Sequence, residues 1–173
     1  EERWLADCRV TFPAVSGDHG DSLRLVPLRQ RLKEGEILSL TVPASVTDFA
    51  GNAVCQGDLR TGIPSDPMAG EILFNELLFD PLSGGADYIE FYNNSNTVID
   101  LSTLSLANSI TVPVQAFAAV PRQLMPYEYI AVTVDRIAVV EGYPCASPYS
   151  VYEASRIPSM PDEGGTLILY NRM

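Results

Sequence analysis

The stretch Asp87-Tyr88-Ile89-Glu90-Phe91-Tyr92-Asn93 carries the clearest structural signal in this chain. In an extended backbone Ile89 and Phe91 point to one side, while Tyr88, Glu90 and Tyr92 point to the other. A period of two residues is typical of a strand with one face in a hydrophobic core. The stretch therefore predicts a β-strand at 87–93 that buries Ile89 and Phe91.

Short runs of the same kind recur on both sides of this strand. Turn-forming segments rich in Gly, Pro, Asn and Asp separate them, which is the pattern of an all-β sandwich. One short helix is predicted at 136–141, with Asp135 capping its start and Gly142 its end. The other predicted strands are 8–15, 22–28, 36–44, 70–79, 97–106, 110–117, 128–134 and 166–170.

Residues 56–69 (QGDLRTGIPSDPMA) interrupt the strand series. They contain two prolines and two glycines and show almost no apolar periodicity. Such a composition is typical of a linker. We therefore predict a first domain at 1–56, a linker at 57–69 and a second domain at 70–173.

The charge of the chain limits its partners. The net charge is −11, from 22 acidic and 11 basic residues, and an acidic surface repels the phosphate backbone of nucleic acids. No apolar run reaches the roughly 18 residues of a membrane-spanning helix. We therefore expect neither nucleic-acid binding nor membrane insertion.

Three segments of the second domain resemble lamin-tail domains. The segment 70–81 (GEILFNELLFDP) is similar to the opening strand of that family, with its Asn-Glu and Asp-Pro. The segment 87–102 (DYIEFYNNSNTVIDLS) is similar to the core hairpin. Residues 124–130 (LMPYEYI) and 157–170 (IPSMPDEGGTLILY) are similar to two later strand entries. The order and spacing of these segments make the resemblance specific. It covers residues 70–173.

This resemblance implies an Ig-like β-sandwich that binds partners or acts as a tether, without catalytic residues. In bacteria such domains accompany secreted hydrolases and Ig-like modules, which implies an extracytoplasmic location. Two departures stand out: Tyr127 occupies a position where the family usually has Gly, and the family usually continues with one more strand beyond Met173. A missing strand would leave an open sheet edge that favours dimerisation.

The first third resembles the end of a bacterial Ig-like domain. The similar residues run from 32–36 (LKEGE) to 46–52 (VTDFAGN), where the turn at Gly51 is the shared motif. The family usually has further strands before this point. We therefore expect a partial Ig-like domain at 1–56 and a chain that is a fragment of a longer multidomain protein.

The residues offer little support for catalysis. His19 is the one histidine, and it lies in a turn-like segment that we interpret as a solvated loop. Glu76 and Glu90 lie on neighbouring predicted strands, and two carboxylates 5–10 Å apart could serve glycoside hydrolysis. Acidic residues on the outer face of a half-exposed strand are the commoner arrangement. We predict no catalytic residue and no enzyme activity.

Calcium is the metal that the acidic loops suit best. Asp80, Asp87 and Glu90 border the Gly84-Gly85 loop, and carboxylates that converge from loops are the ligands calcium prefers. Asp48 and Asn52 flank the Gly51 turn as a second set, although neither set has EF-hand spacing. Side chains that stabilise the turns explain them as well. We predict no obligatory cofactor and keep calcium as an alternative.

Tyr143, Tyr149 and Tyr152 are the candidates for partner contact. They lie beside prolines in a segment of poor periodicity, and long loops on a rigid scaffold often carry recognition. Packing against a sheet edge would explain them equally well.

Two further features stay open at this level. Residues 116–121 (AFAAVP) form either an exposed patch or, as we interpret them, a buried strand end. Cys8 and Cys55 form either a disulfide or a pair of buried thiols.

The sequence as a whole favours a non-catalytic interaction or spacer module of a secreted or cell-envelope protein. Its expected partners are a protein, a cell-surface polymer or the neighbouring domains of the same chain. A calcium-assisted carbohydrate or cell-wall binding domain is the alternative, and a carboxylate-based hydrolase is the third hypothesis.

Overall fold

A computed structural model describes residues 8–11, 24–27, 35–41, 50–52, 58–109, 115–143 and 147–171. Nearly all of their regular structure is strand, with one short α-helix and two 3-10 turns at Leu101–Thr103 and Pro148–Ser150. The elements are β1 (Cys8–Thr11), β2 (Arg24–Pro27), β3 (Ile37–Thr41), β4 (Asp58–Gly62), β5 (Ile72–Leu78), β6 (Tyr88–Asn93), β7 (Ile99–Asp100), β8 (Leu104–Ala107), β9 (Gln115–Ala116), β10 (Gln123–Leu124), β11 (Tyr129–Thr133), α1 (Arg136–Gly142), β12 (Val151–Glu153) and β13 (Ile168–Asn171).

The described strands belong to two compact units that divide after Lys33. In the first unit, Glu1–Lys33, β1 and β2 pair antiparallel, with Cys8 opposite Pro27. The other strands belong to Glu34–Met173. This strand content confirms the prediction of an all-β fold at the level of class.

Two sheets dominate the second unit. The larger has the order β12-β11-β6-β5, and the smaller has the order β13-β8-β9. Strands β5, β6 and β11 pair antiparallel, whereas β11 and β12 pair parallel. Helix α1 lies between β11 and β12 in the chain, because two parallel strands need a crossover connection.

One hydrophobic core contains side chains of both sheets. Ile89 and Phe91 of β6 are fully buried in it, as the two-residue alternation predicted. Phe91 stacks on Phe117, which follows β9, with ring centroids 5.4 Å apart. Phe117 and Ala118 are buried, which confirms that this part of 116–121 is a buried strand end, while Val120 is exposed.

The predicted helix is confirmed. Helix α1 begins after Asp135, whose carboxylate accepts a 3.0 Å hydrogen bond from the backbone N–H of Ala138. Gly142 is its last helical residue and Tyr143 is the C-terminal cap, so the predicted capping role of Gly142 is wrong. An Asp at this position satisfies an N–H group that the first helical turn leaves unpaired. The cap thus sets where α1 begins, directly after strand β11.

Residues 57–69, which the sequence predicts as a linker, contain strand β4. This strand pairs antiparallel with β3, so that Leu40 lies opposite Leu59. Gln123 holds the end of β4, because its side-chain nitrogen donates to the Gly62 carbonyl at 2.7 Å and its oxygen accepts from the Gly62 N–H at 3.1 Å. A Cβ at Gly62 would lie 2.8 Å from Val98, so only glycine fits this approach. Tertiary contacts of this kind leave no trace in local periodicity.

Asn93 connects three segments at the end of β6. Its side chain is fully buried. The amide nitrogen donates to the carbonyls of Thr97, Leu124 and Met125 at 2.8–3.1 Å. The amide oxygen accepts from the N–H and hydroxyl of Ser95 at 3.0 and 2.7 Å. Asn93 therefore ties the loop after β6 to the turn that follows β10.

That second turn has an unusual backbone. Tyr127 has a φ of 61°, which makes it the only non-glycine residue with positive φ among those the structure describes. Pro126 precedes it, and the Glu128 N–H donates to the Met125 carbonyl at 3.2 Å. A proline followed by a residue of positive φ is the pattern of a type II turn, which favours glycine at the second position.

We expect Tyr127→Gly to be more stable than Tyr127→Ala by about 1 kcal/mol. Both variants lose the exposed ring, but only alanine keeps the Cβ that strains a left-handed backbone. Urea unfolding of the two variants measures the difference. Equal midpoints would mean that the backbone strain at this turn is negligible.

No helix among the described residues is long and apolar enough to cross a bilayer.

Candidate functional site

A β-bulge places three polar side chains together on the outer face of the larger sheet. Glu76 lies directly opposite Glu90 in the register, and the pairing shifts between Phe74 and Glu76. A bulge sets two residues of one strand against one residue of its neighbour. Asn75 consequently reaches Glu90 as well, and its amide nitrogen donates a 2.6 Å hydrogen bond to the Glu90 carboxylate.

Aromatic rings surround these polar groups. The Tyr88 hydroxyl donates a 2.7 Å hydrogen bond to the Glu76 carboxylate. The ring of Tyr88 meets Tyr143 edge to face, with centroids 5.7 Å apart. On the neighbouring strand, Tyr129 stacks on Tyr92 at 4.6 Å.

Helix α1 forms one wall of the resulting groove. Val139 packs against Tyr88, Ala131 and Val151 in a small second hydrophobic cluster. The helix covers only part of the sheet, and beside it lies an open cavity of about 500 Å³. We call this cavity the sheet-face groove. Its lining includes Asn75, Tyr88, Glu90, Tyr129, Tyr143 and Ser150.

A second open groove, of about 480 Å³, adjoins the first. Tyr129 and Ser150 line both cavities. The second groove also contains Arg122, whose guanidinium donates a 2.8 Å hydrogen bond to the backbone carbonyl of Tyr149. We call it the Tyr149 groove, because 85% of the Tyr149 side chain is exposed there. Tyr127, which is 59% exposed, lies on the same surface.

Negative charge lies close to the Tyr88 hydroxyl at the sheet-face groove. The pKa of Tyr88 is raised well above its usual range, first by burial and then by its hydrogen bond to the Glu76 carboxylate. The charges of Glu76 and Glu90 act in the same direction. A tyrosinate is therefore strongly disfavoured here, and the Tyr88 hydroxyl remains a donor.

Two of the three tyrosines singled out from the sequence lie at the grooves. Tyr143 lines the sheet-face groove and Tyr149 lines the second. Tyr152 lies on β12 instead, where it is partly buried and packs against the main core. Strand β12 falls inside a segment that was predicted as a loop. The prediction missed it because three residues are too few to show a period.

The structure also brings Glu76 and Glu90 together. They occupy directly paired positions on neighbouring antiparallel strands, where Cβ atoms are about 5 Å apart. The two side chains therefore lie on the same face of the sheet, which the hydrolase hypothesis requires. Both carboxylates line an open surface and accept hydrogen bonds from neutral donors.

The calcium candidates are not assembled into one site. Glu90 faces the sheet-face groove, where Asn75 bonds it. Asp80 and Asp87 lie near each other, since burial, then the charges of Asp162 and Asp80, raise the pKa of Asp87. Among the residues that the structure describes, no group of three His, Cys, Asp or Glu side chains could hold a metal ion.

Other candidates lie outside the described residues. These are His19, Cys55 and Asp48, and of Cys8 only the backbone is described. The disulfide alternative and the Gly51 calcium set therefore stay predictions.

Tyr129 is the groove residue that the sequence did not single out. It lies on a predicted strand at 128–134. Alternation along this strand places Tyr129 on the face that points away from the buried Ile130. That alternation was a signal for an outward tyrosine. What local sequence could not show is that β11 pairs with β6 and brings Tyr129 beside Tyr92.

No protein-family model, no curated protein and no solved structure matches this chain.

Proposed function

We propose that this chain is a non-catalytic interaction module of a secreted or cell-envelope multidomain protein, built on an Ig-like sandwich of the lamin-tail type. The observation that carries the proposal is the pair of adjoining, open, tyrosine-lined grooves that share Tyr129 and Ser150. Tyrosine offers a large contact area at low entropic cost, together with a polar tip, and is enriched at protein interfaces.

The positive φ of Tyr127 supports the resemblance to lamin-tail domains. The family usually has glycine at this position, and glycine takes such a conformation without strain. A tyrosine here accepts backbone strain while it presents an exposed ring beside the Tyr149 groove. Strained residues of this kind cluster at functional surfaces.

The openness of the grooves supports a binding role over a catalytic one. Enzymes place their reacting groups where water is excluded, because electrostatic stabilisation is strongest there. Glu76 is exposed and Glu90 half-buried on an open sheet face. Such a surface suits contact with a large partner.

Mapping of ligand contacts by NMR tests the binding proposal. A panel of short peptides and oligosaccharides is titrated into the ¹⁵N-labelled chain. We expect shift changes confined to the two grooves, and we expect Tyr129→Ala to weaken the interaction about tenfold, as for an aromatic anchor. Tyr170→Phe on β13, which lines neither groove, is the control. Changes spread over other surfaces, or none, would contradict the proposal.

An assay of glycoside hydrolysis tests the non-catalytic part. We expect no turnover of chromogenic glycosides by the wild-type chain. Turnover that disappears in both Glu76→Gln and Glu90→Gln would instead establish the hydrolase hypothesis.

Calcium-assisted carbohydrate binding is a second candidate. The stacked Tyr92 and Tyr129 rings favour its carbohydrate part, because sugar rings pack on aromatic faces, and Asn75 at the same groove offers a polar side chain. A rise in melting temperature with millimolar calcium, enlarged by oligosaccharide, is the expected signature. An unchanged melting temperature would remove this candidate.

The edge of the larger sheet supports a proposal of dimerisation. Strand β5 is an edge strand, and Leu73, Phe74 and Leu77 on it are each about 40% exposed. Exposed apolar edge strands are templates for pairing with another chain. Light scattering at micromolar concentration tests it, and a monomer over the whole range would count against it.

A further inference from the structure

We propose that the sheet-face groove binds a basic side chain, arginine or lysine, on an extended segment of a partner protein. This inference rests on the proposed interaction function and specifies the chemistry of its ligand. It follows from three features: Glu90 lines the groove and Glu76 lies directly opposite it on β5, the walls are aromatic, and a second groove adjoins the first.

No salt bridge to Glu76 or Glu90 is present among the residues that the structure describes. Glu76 and Glu90 face each other across neighbouring strands, an arrangement that is unfavourable for like charges. In the part of the chain that the structure describes, they accept hydrogen bonds only from the neutral groups of Tyr88 and Asn75. A cation placed between them would relieve the repulsion.

The walls suit an organic cation better than a metal ion. Tyr88, Tyr129 and Tyr143 line the groove together with Glu90. Aromatic faces attract ammonium and guanidinium groups, and the attraction grows where water is partly excluded. The apolar stem of a long basic side chain can pack on Val139 and Val151, which also line the cavity.

The shape favours an extended partner. Tyr129 and Ser150 line both the sheet-face groove and the Tyr149 groove, so an extended segment that crosses these two residues would contact both grooves. The net charge of residues 34–173 favours a basic partner, since this part of the chain contains seventeen acidic and five basic residues. Such a surface attracts a basic partner over long distances.

The test uses the full chain and matched pentapeptides. The probes are acetyl-Gly-Ser-Arg-Ser-Gly-amide and its lysine counterpart, compared with analogues that carry citrulline or norleucine, which keep the shape without the charge. We expect the charged peptides to bind about tenfold more tightly than the neutral ones, with shift changes at the sheet-face groove and weaker binding at high salt. The ratio between arginine and lysine shows which group the groove prefers.

Conservative variants locate the effect. Glu76→Gln and Glu90→Gln keep an oxygen that accepts from Tyr88 and Asn75, and each is expected to weaken binding of the charged peptide about fivefold. Glu163→Gln removes the same charge from an exposed turn outside both grooves and is expected to leave affinity within about twofold.

Each contrary result has a distinct meaning. Equal affinity for arginine and citrulline peptides, with changes still confined to the groove, would overturn the cation inference and leave the proposed interaction function standing. Full displacement of the peptide by equimolar calcium would also overturn it, because the site would then be an inorganic cation site. If no peptide or oligosaccharide perturbs either groove, both proposals fail.

Discussion

Asn93→Ala is expected to lower the free energy of unfolding by about 3–4 kcal/mol. The fully buried side chain makes five hydrogen bonds, to three carbonyls and to both donors of Ser95. Alanine removes all five hydrogen bonds from a buried position, although the Met125 carbonyl still accepts from the Glu128 N–H and the Ser95 hydroxyl still contacts Thr97. Urea unfolding measures the loss, and Asn96→Ala in the same loop, where the side chain is exposed, should change stability by less than about 0.5 kcal/mol.

Asn93→Asp tests the contribution of the side-chain hydrogen bonds while it keeps the size and shape of the side chain. Aspartate has the size of asparagine, but it turns a carboxylate oxygen toward the carbonyls of Thr97, Leu124 and Met125. The neutral acid is favoured in the folded state, so its pKa there exceeds the unfolded value of about 3.9. The stability deficit relative to wild type should therefore grow as the pH rises above about 4, and shrink below it. A deficit independent of pH, or an alanine variant within 1 kcal/mol of wild type, would contradict this role for Asn93.

Phe91→Ala is expected to cost about 3–5 kcal/mol, the other large effect in this chain. The ring is fully buried, and its centroid lies 5.4 Å from that of Phe117 and 5.3 Å from that of Phe74. It therefore packs between side chains that belong to or follow strands of both sheets. Removing it opens a cavity that the paired strands cannot collapse to fill. Phe91→Leu should cost about 1–2 kcal/mol, because most of the volume remains.

Phe79→Ala is the matched control for Phe91. Phe79 is about one-third exposed beyond the end of β5, so its loss should cost about 1 kcal/mol or less. If the two alanine variants unfold at the same denaturant concentration, Phe91 is not the central packing contact that its burial indicates.

Local sequence was sufficient where a short period reported burial. The alternation at 87–93 predicted both the strand and its buried face, and Asp135 predicted where α1 begins. These features depend on residues within a few positions of one another. Side-chain geometry along a strand and hydrogen bonding in a first helical turn are local physics.

Local sequence failed where distant contacts override composition. The composition of residues 58–62 is typical of a linker, yet these residues form β4, which pairs with β3. The side chain of Gln123, 61 positions further along the chain, accepts a hydrogen bond from Gly62. The three residues of β12 were likewise hidden in a tyrosine-rich segment. Strands this short form because neighbouring strands supply their hydrogen bonds, and their own sequence is too short to show a period that predicts a strand.

The candidate site divides in the same way. The amino-acid sequence by itself determined which side chains face outward on β6, and it supplied the surplus of negative charge and of tyrosine. Only the tertiary structure decided that the bulge in β5 sets Asn75 and Glu76 against Glu90, and that β11 brings Tyr129 to the same face. The reason is physical: the direction of a side chain follows from its own backbone, whereas its neighbours across a sheet follow from strand register, which the packing of the whole core selects.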